Sequence, residues 1–214
     1  MKYRYPVFLL TLCTVLSAGC SAVHENTCFI YTDRLLDDLC AIEYLAQKYD
    51  HAVIMPQNPE GIAENPYASS AVTDEAALLD TASEWFVSAE LYSDEMNLAE
   101  ADLYLLAPLS EFAELLKDNP YLCSEKTLMM AGDTDGPDGA GNEWNAGADI
   151  EAYRYVTENM KNLTQMTKSE CEQKYEKDGY PFKARFLEEY TLRMNAISEN
   201  ICCYDLQTAA FVFK

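Results

Sequence analysis

The chain is poor in basic residues and in histidine. Lysine and arginine total 15 against 36 acidic residues, and there are only two histidines, which gives a formal net charge of −21. A surface of this charge repels phosphate backbones, so nucleic-acid binding is disfavoured and the charge mainly favours solubility. The chain also lacks paired Cys-x-x-Cys motifs. With so few histidines, a zinc site is not indicated.

Long apolar runs are missing too, and the most apolar segment lies at the N-terminus, where it is too short to span a bilayer. Lys2 and Arg4 precede PVFLLTLCTVLSA, and the segment closes on LSAGC. This arrangement resembles a bacterial lipoprotein signal. It predicts a signal peptide over residues 1–19, lipidation at Cys20 and a tether over residues 20–26, in a protein exported to the cell envelope and anchored to the membrane. An ordinary secretory signal with cleavage nearby is the alternative.

Six cysteines follow the one that ends the signal: Cys28, Cys40, Cys123, Cys171, Cys202 and Cys203. Disulfides are permitted outside the cytoplasm, but their pairing cannot be deduced from the spacing. Buried free thiols are an equal alternative.

Short apolar segments alternate with helical ones along the rest of the chain. This alternation predicts a single α/β domain over residues 27–214, with a mainly parallel sheet flanked by helices. Residues 157–200 are predicted to be mostly helical, and ICCYDLQTAAFVFK to form a strand or turn and a last helix. The other strands are predicted at 24–33, 51–57, 101–108 and 126–132, and the other helices at 34–50, 74–92, 109–120 and from about Asp149.

Acidic residues follow the predicted strands at the edge where parallel sheets bind ligands. Asp33, Asp37 and Asp38 follow the first strand, a loop over 133–145 follows the fourth, and Asp205 stands at the last junction. The first group alone could simply start a helix, with Asp33 as its N-cap. Acids that converge from separate strands need a counter-charge. Oxygen ligands without placed histidine or cysteine suit Ca²⁺ better than zinc.

Five segments of the chain carry the features of known motifs. In chain order they are YTDRLLDDLCAI, YLLAPLSEFAELLKDNP, LMMAG, EWNAGADIEAYRYV and YDLQTAAFVF. They resemble, in the same order, motifs of the inosine–uridine-preferring nucleoside hydrolases, and together they span most of residues 27–213. The family opens with Asp-x-Asp-Pro-Gly-x-Asp-Asp. Here the last three aspartates keep their register, whereas Tyr31 replaces the first Asp and Arg34-Leu35 replace Pro-Gly.

The resemblance implies a nucleoside hydrolase-like, Rossmann-like fold that hydrolyses the N-glycosidic bond of ribonucleosides with the help of Ca²⁺. Asp33 would be both a calcium ligand and the base that activates a water on the metal. Asp38, Asp205 and the backbone carbonyl of Leu106 would complete the protein ligands. The water would attack the anomeric carbon through an oxocarbenium-like state.

The same resemblance implies a ribose-binding group. Asp37 would accept hydrogen bonds from ribose hydroxyls, helped by Glu143 and Asn145, and Asp138 would stand near an Asn of the family that touches the sugar. Glu143 and Asn145 could instead only cap the helix that follows Gly147.

Two features depart from the family. The histidine before the last metal-binding aspartate is Tyr204 here, and the family's His-Gly-x-Asp-Gly segment has no counterpart. Tyr204 could protonate the leaving base, although a pKa of about 10 makes it a weak acid, or it could be an aromatic rim residue. The alternative function is therefore a surface lipoprotein that keeps the fold and binds a ribosyl ligand or a protein partner without hydrolysis. Exposed sheet edges would favour a dimer.

Overall fold

The computed structural model describes residues 26–58, 74–133, 143–197 and 202–211. Cys20 and the signal segment lie outside the described residues, as does Asp138. Lipidation, export and the contact of Asp138 with a sugar therefore stay predictions. None of the helices in the described ranges is long and apolar enough to cross a membrane.

Within these ranges, six strands form one sheet. They are β1 (Thr27–Thr32), β2 (His51–Pro56), β3 (Ser88–Leu91), β4 (Asp102–Leu105), β5 (Lys126–Met130) and β6 (Asn162–Met166). The helices are α1 (Leu36–Leu45), α2 (Glu75–Ser83), α3 (Ser110–Asp118), α4 (Trp144–Gly147), α5 (Ile150–Asn159), α6 (Lys168–Asp178), α7 (Leu187–Ile197) and α8 (Tyr204–Ala209), with a 3₁₀ turn at Pro120–Ser124.

All neighbouring strands run parallel, in the order β3-β2-β1-β4-β5-β6. This is the strand order of a Rossmann-like fold, in which the chain winds outward from β1 and then returns to the centre with β4. The prediction of a single α/β domain with a mainly parallel sheet is confirmed.

Helices cover both faces of the sheet, so the central strands are buried on both sides. In β1, Cys28 and Ile30 belong to the core that includes α1 and α8, whereas Phe29 and Tyr31 belong to the core that includes α3 and α5. Burial on both faces explains why the interior strands are nearly continuous apolar segments in the sequence.

Two strands lie where helix is predicted. The pattern predicts a helix over 74–92, but α2 ends at Ser83 and Ser88–Leu91 forms β3. Asn162–Met166 forms β6 within the region predicted to be mostly helical. Both are edge strands with partly exposed residues, so they lack an interior strand's apolar run and depend on pairing with β2 and β5. The two residues before α8 form no strand.

Candidate metal centre

The direction in which the chain winds reverses between β1 and β4, which leaves a crevice at the carboxyl ends of these strands. Asp33 follows β1 directly, and Leu106 follows β4. The Leu106 N–H donates to the Tyr31 carbonyl at 2.9 Å, which ties the two strand ends together. The fold therefore brings Asp33 and the backbone of Leu106 to the same edge of the sheet.

Three carboxylates meet beside this crevice. Asp37, Asp38 and Asp205 each offer an oxygen atom, and these atoms all lie within 4.8 Å of one another. The first two lie in the first turn of α1 and the third in the first turn of α8. Two ligands on opposite sides of a Ca²⁺ ion, each at 2.3–2.6 Å, are roughly 5 Å apart. A single hard cation can therefore contact all three side chains.

Asp38 is fully buried, and only one of its oxygens has a partner. Oδ2 accepts a hydrogen bond from the Leu35 N–H at 2.9 Å, whereas Oδ1 has no hydrogen-bond partner among the residues that the structure describes. A buried polar atom without a partner costs about 1–3 kcal/mol, and more when it is charged. A cation at this point would satisfy the oxygen, so the donor set fits a metal ion.

Asp33 lies beside this cluster, although its carboxylate is not among the three whose oxygens meet within 4.8 Å. It is only 3% exposed. Its charge also raises the pKa values of Asp37, Asp38 and Asp205. Because α1 begins at Leu36 and its N-cap is the residue before, the interpretation of Asp33 as a helix cap is wrong.

Burial is the main cause of the raised pKa values in this cluster, and repulsion between the acids adds to it. The pKa of Asp37 rises to about 7, because partial burial disfavours its charged form and the charge of Asp33 adds to the effect. Burial raises the pKa of Asp38 well above its usual value, and the charges of three other aspartates raise it further. The pKa of Asp205 is raised well above its usual value for the same reasons. A divalent cation would reverse this repulsion.

The metal-free protein is therefore expected to lose stability as the pH rises from about 4 to about 7. An unfolded aspartate has a pKa of about 3.9, whereas Asp37 in the folded protein titrates near 7. Between these values the folded state holds more protons, so each increase in pH favours unfolding. The stabilisation is fully present below about pH 4 and is lost as the pH passes through about 7.

Thermal unfolding in a chelator from pH 4.5 to pH 8 tests this expectation. Tm should fall by about 5–10 °C, and millimolar calcium should remove most of the fall. The Asp38→Asn variant should show a shallower fall than the parent. An equal fall in both proteins, or none, would contradict the coupling of the acids.

Glu143 is the N-cap of α4. Its carboxylate accepts three backbone hydrogen bonds, from the N–H groups of Gly132, Asn145 and Ala146, each at 2.8 Å. Burial raises the pKa of Glu143, and these three N–H groups act against the rise. Glu143 thus caps α4, whereas α5, the helix after Gly147, has Asp149 as its N-cap. The interpretation of Glu143 and Asn145 as caps of the helix after Gly147 is therefore wrong.

Glu143 and Asn145 are held at the carboxyl end of β5. The Asn145 Nδ2 donates to the Met130 carbonyl at the end of β5, at 2.9 Å, and Glu143 accepts from the Gly132 N–H just after it. After burial and the charges of Asp37 and Asp33, the charge of Glu143 also raises the pKa of Asp205. The role of Glu143 and Asn145 in ribose binding stays a prediction.

Tyr204 begins α8, directly before Asp205. Its hydroxyl donates to Oε1 of Glu172 on α6 at 2.8 Å. The Tyr204 hydroxyl is therefore directed toward the carboxylate of Glu172. Its role as an acid for the leaving base stays a prediction.

The turn after Asp33 has an unusual backbone. Arg34 has a φ of 64°, and its N–H donates to Oγ1 of Thr32 at 3.0 Å. The Arg34 guanidinium donates to the Gln57 carbonyl at 3.1 Å. Proline cannot adopt this φ. The turn therefore differs from one that a Pro-Gly pair could form at the same register.

Two cysteines lie beside the carboxylate cluster, a position that the sequence analysis did not predict for them. Cys40 lies two residues after Asp38 on α1, and Cys203 lies two residues before Asp205 at the start of α8. The Cys203 thiol lies 4.0 Å from the carbonyl oxygen of Asp37, in the turn of α1 before Cys40. The shared spacing between Cys and Asp is a signal, but nothing local in the sequence indicates that α1 and α8 pack together.

Comparisons with protein-family models, with curated proteins and with solved structures found no significant match to this chain.

Proposed function

We propose that this protein binds Ca²⁺ and hydrolyses the N-glycosidic bond of ribonucleosides, as a nucleoside hydrolase-like protein. The observation that carries the proposal is the buried carboxylate cluster at the switch point of the sheet, with an unpartnered oxygen on Asp38. Carboxylate oxygens favour a hard cation over zinc or copper. The order of the five motifs that resemble nucleoside hydrolases supports N-glycosidic hydrolysis as the class of reaction.

The residues that would hold the ion are Asp33, Asp38 and Asp205, with the carbonyl of Leu106. When bound, calcium would supply a Lewis acid that makes a nearby water more acidic. Asp33 lies at the end of β1, where it would accept the proton from the attacking water. Its buried position strengthens such electrostatic interactions.

The other carboxylates would act on the sugar. Asp37 is more accessible than Asp38 and Asp205, so it is suited to accept hydrogen bonds from ribose hydroxyls. These bonds would hold the anomeric carbon in line with the water. The negative field of the cluster would stabilise positive charge that develops on the ribosyl group as the base departs.

Ribosyl binding without hydrolysis is the second candidate function. The observation that favours it is the hydrogen bond from Tyr204 to Glu172, which engages the hydroxyl that stands where the family has histidine. In either case we propose export and anchoring through lipidated Cys20, which the N-terminal pattern supports.

Calorimetric titration of the full chain with calcium, together with assays of base release from inosine and uridine, tests the proposal. We expect calcium binding and a base release that a chelator abolishes. Calcium binding with no release of base would support ribosyl binding without hydrolysis. The absence of calcium binding at neutral pH would refute the metal centre and both functions built on it.

A further inference from the structure

Cys40 and Cys203 meet in the core between α1 and α8. Both side chains are fully buried; burial raises the pKa of the Cys203 thiol, and the neighbouring Cys40 thiol raises it further. Sγ of Cys203 also lies 4.0 Å from the carbonyl oxygen of Asp37, which is three residues before Cys40 on the same helix. The Cys203 sulfur therefore lies against the turn of α1 that carries Cys40.

Other thiols contact groups that cannot form a disulfide. Sγ of Cys28 donates to the His51 carbonyl at 3.7 Å. Sγ of Cys171 lies 3.6 Å from the Thr208 hydroxyl. Cys123 is half-buried and packs against the core on the opposite face of the sheet. Cys203, by contrast, lies against the turn of α1 that carries Cys40, which makes these two cysteines a candidate pair for a cross-link.

We propose that Cys40 and Cys203 form a disulfide that links α1 to α8 and holds the two halves of the carboxylate cluster together. The oxidant is a small disulfide such as oxidised glutathione, or an oxidoreductase with the same chemistry. The two protein thiols give up two electrons and two protons as their sulfur–sulfur bond forms. The oxidant's sulfur–sulfur bond breaks, and it leaves as two thiols.

Burial determines when this exchange takes place. Because neither sulfur is exposed, an oxidant reaches them only while the chain folds or opens. Once formed, the bond is shielded from reductants by the same packing. It closes a loop between two segments far apart in the chain, which strongly restricts the unfolded state.

Tryptic mapping of the full chain, refolded in a glutathione redox buffer and then alkylated, identifies the bond. Cleavage after Arg34, Lys48 and Arg193 releases Cys40 in peptide 35–48, and Cys202 with Cys203 in peptide 194–214. We expect these two peptides to be joined without reductant. The link should persist in Cys202→Ala and be lost in Cys203→Ala. Six free thiols, a bridge between other cysteines, or a link that survives Cys203→Ala would overturn the proposal.

Thermal unfolding gives a second readout. The oxidised protein should unfold about 5–10 °C above the protein refolded with dithiothreitol. The Cys123→Ala control should keep this difference, and a variant with both Cys40→Ala and Cys203→Ala should lose it. An equal Tm for the oxidised and reduced parent would count against the cross-link.

A weaker affinity for calcium in the reduced protein is also expected, and this part rests on the proposed function. The mapping does not depend on it. A Cys40–Cys203 link in a protein that binds no calcium would uphold the disulfide and refute the proposed function. Calcium binding and base release in a protein without the link would uphold the proposed function and refute the disulfide.

Discussion

Replacement of Asp38 by asparagine is expected to weaken calcium binding by about 100-fold or more, because even groups that only orient metal ligands contribute about 10- to 100-fold. The amide can still accept the hydrogen bond from the Leu35 N–H, so the start of α1 should survive. The same change removes a buried charge that repels three neighbouring aspartates. The metal-free variant should therefore have a higher Tm than the parent at pH 7.5, and calcium should raise that Tm much less.

Weaker calcium binding together with a higher metal-free Tm distinguishes a metal ligand from a residue that only supports the fold. Asp118→Asn is the matched control, because it removes the same charge from an exposed position at the end of α3. The control should keep the parent's affinity for calcium and its Tm. A variant at Asp38 that loses stability in chelator, yet binds calcium normally, would show that the carboxylate serves the fold alone.

Replacement of Asp33 by asparagine is expected to lower kcat for inosine and uridine by about 10³-fold, because general bases contribute about 10²–10⁴-fold. The measurement is made at calcium concentrations that saturate the variant, so that weaker metal binding does not account for the loss. Asp33 is buried directly after β1, and its charge raises the pKa values of the three clustered aspartates, which places it beside the cluster.

Asp37→Asn is the companion variant for this experiment. Its carboxylate is more accessible and is proposed to hold the ribose, so its loss should raise KM more than it lowers kcat. A kcat for Asp33→Asn within a few-fold of the parent, at saturating calcium, would refute Asp33 as the base. Equal effects of both variants on kcat and KM would contradict the division of roles.

The interior strands could be predicted because burial on both faces produces a sequence signal. β1, β2, β4 and β5 are short runs of mainly apolar residues that alternate with helices. The edge strands β3 and β6 carry no such signal, since their residues are partly exposed and pairing with a neighbour decides their conformation. Four of the six strands, and the parallel arrangement, were therefore accessible from the pattern alone.

The residues of the candidate site also divide into those that the sequence pattern could predict and those that it could not. Asp33, Asp37 and Asp38 could be placed at a strand end because they follow an apolar run directly. The hydrogen bonds of Glu143 could only be suspected, because capping and sugar binding use the same residue types. The left-handed backbone at Arg34 had no signal, because a basic side chain does not favour a positive φ.

The sequence by itself determined that a parallel α/β sheet would form and that acids would stand at its carboxyl edge. Apolar periodicity and strand-end position are local properties of the chain, so they can be recognised without coordinates. Only the tertiary structure decided that Asp205 reaches Asp37 and Asp38, that one oxygen of Asp38 has no partner, and that Cys203 meets Cys40. These contacts depend on the packing of α8 against α1, a long-range arrangement that no local pattern encodes.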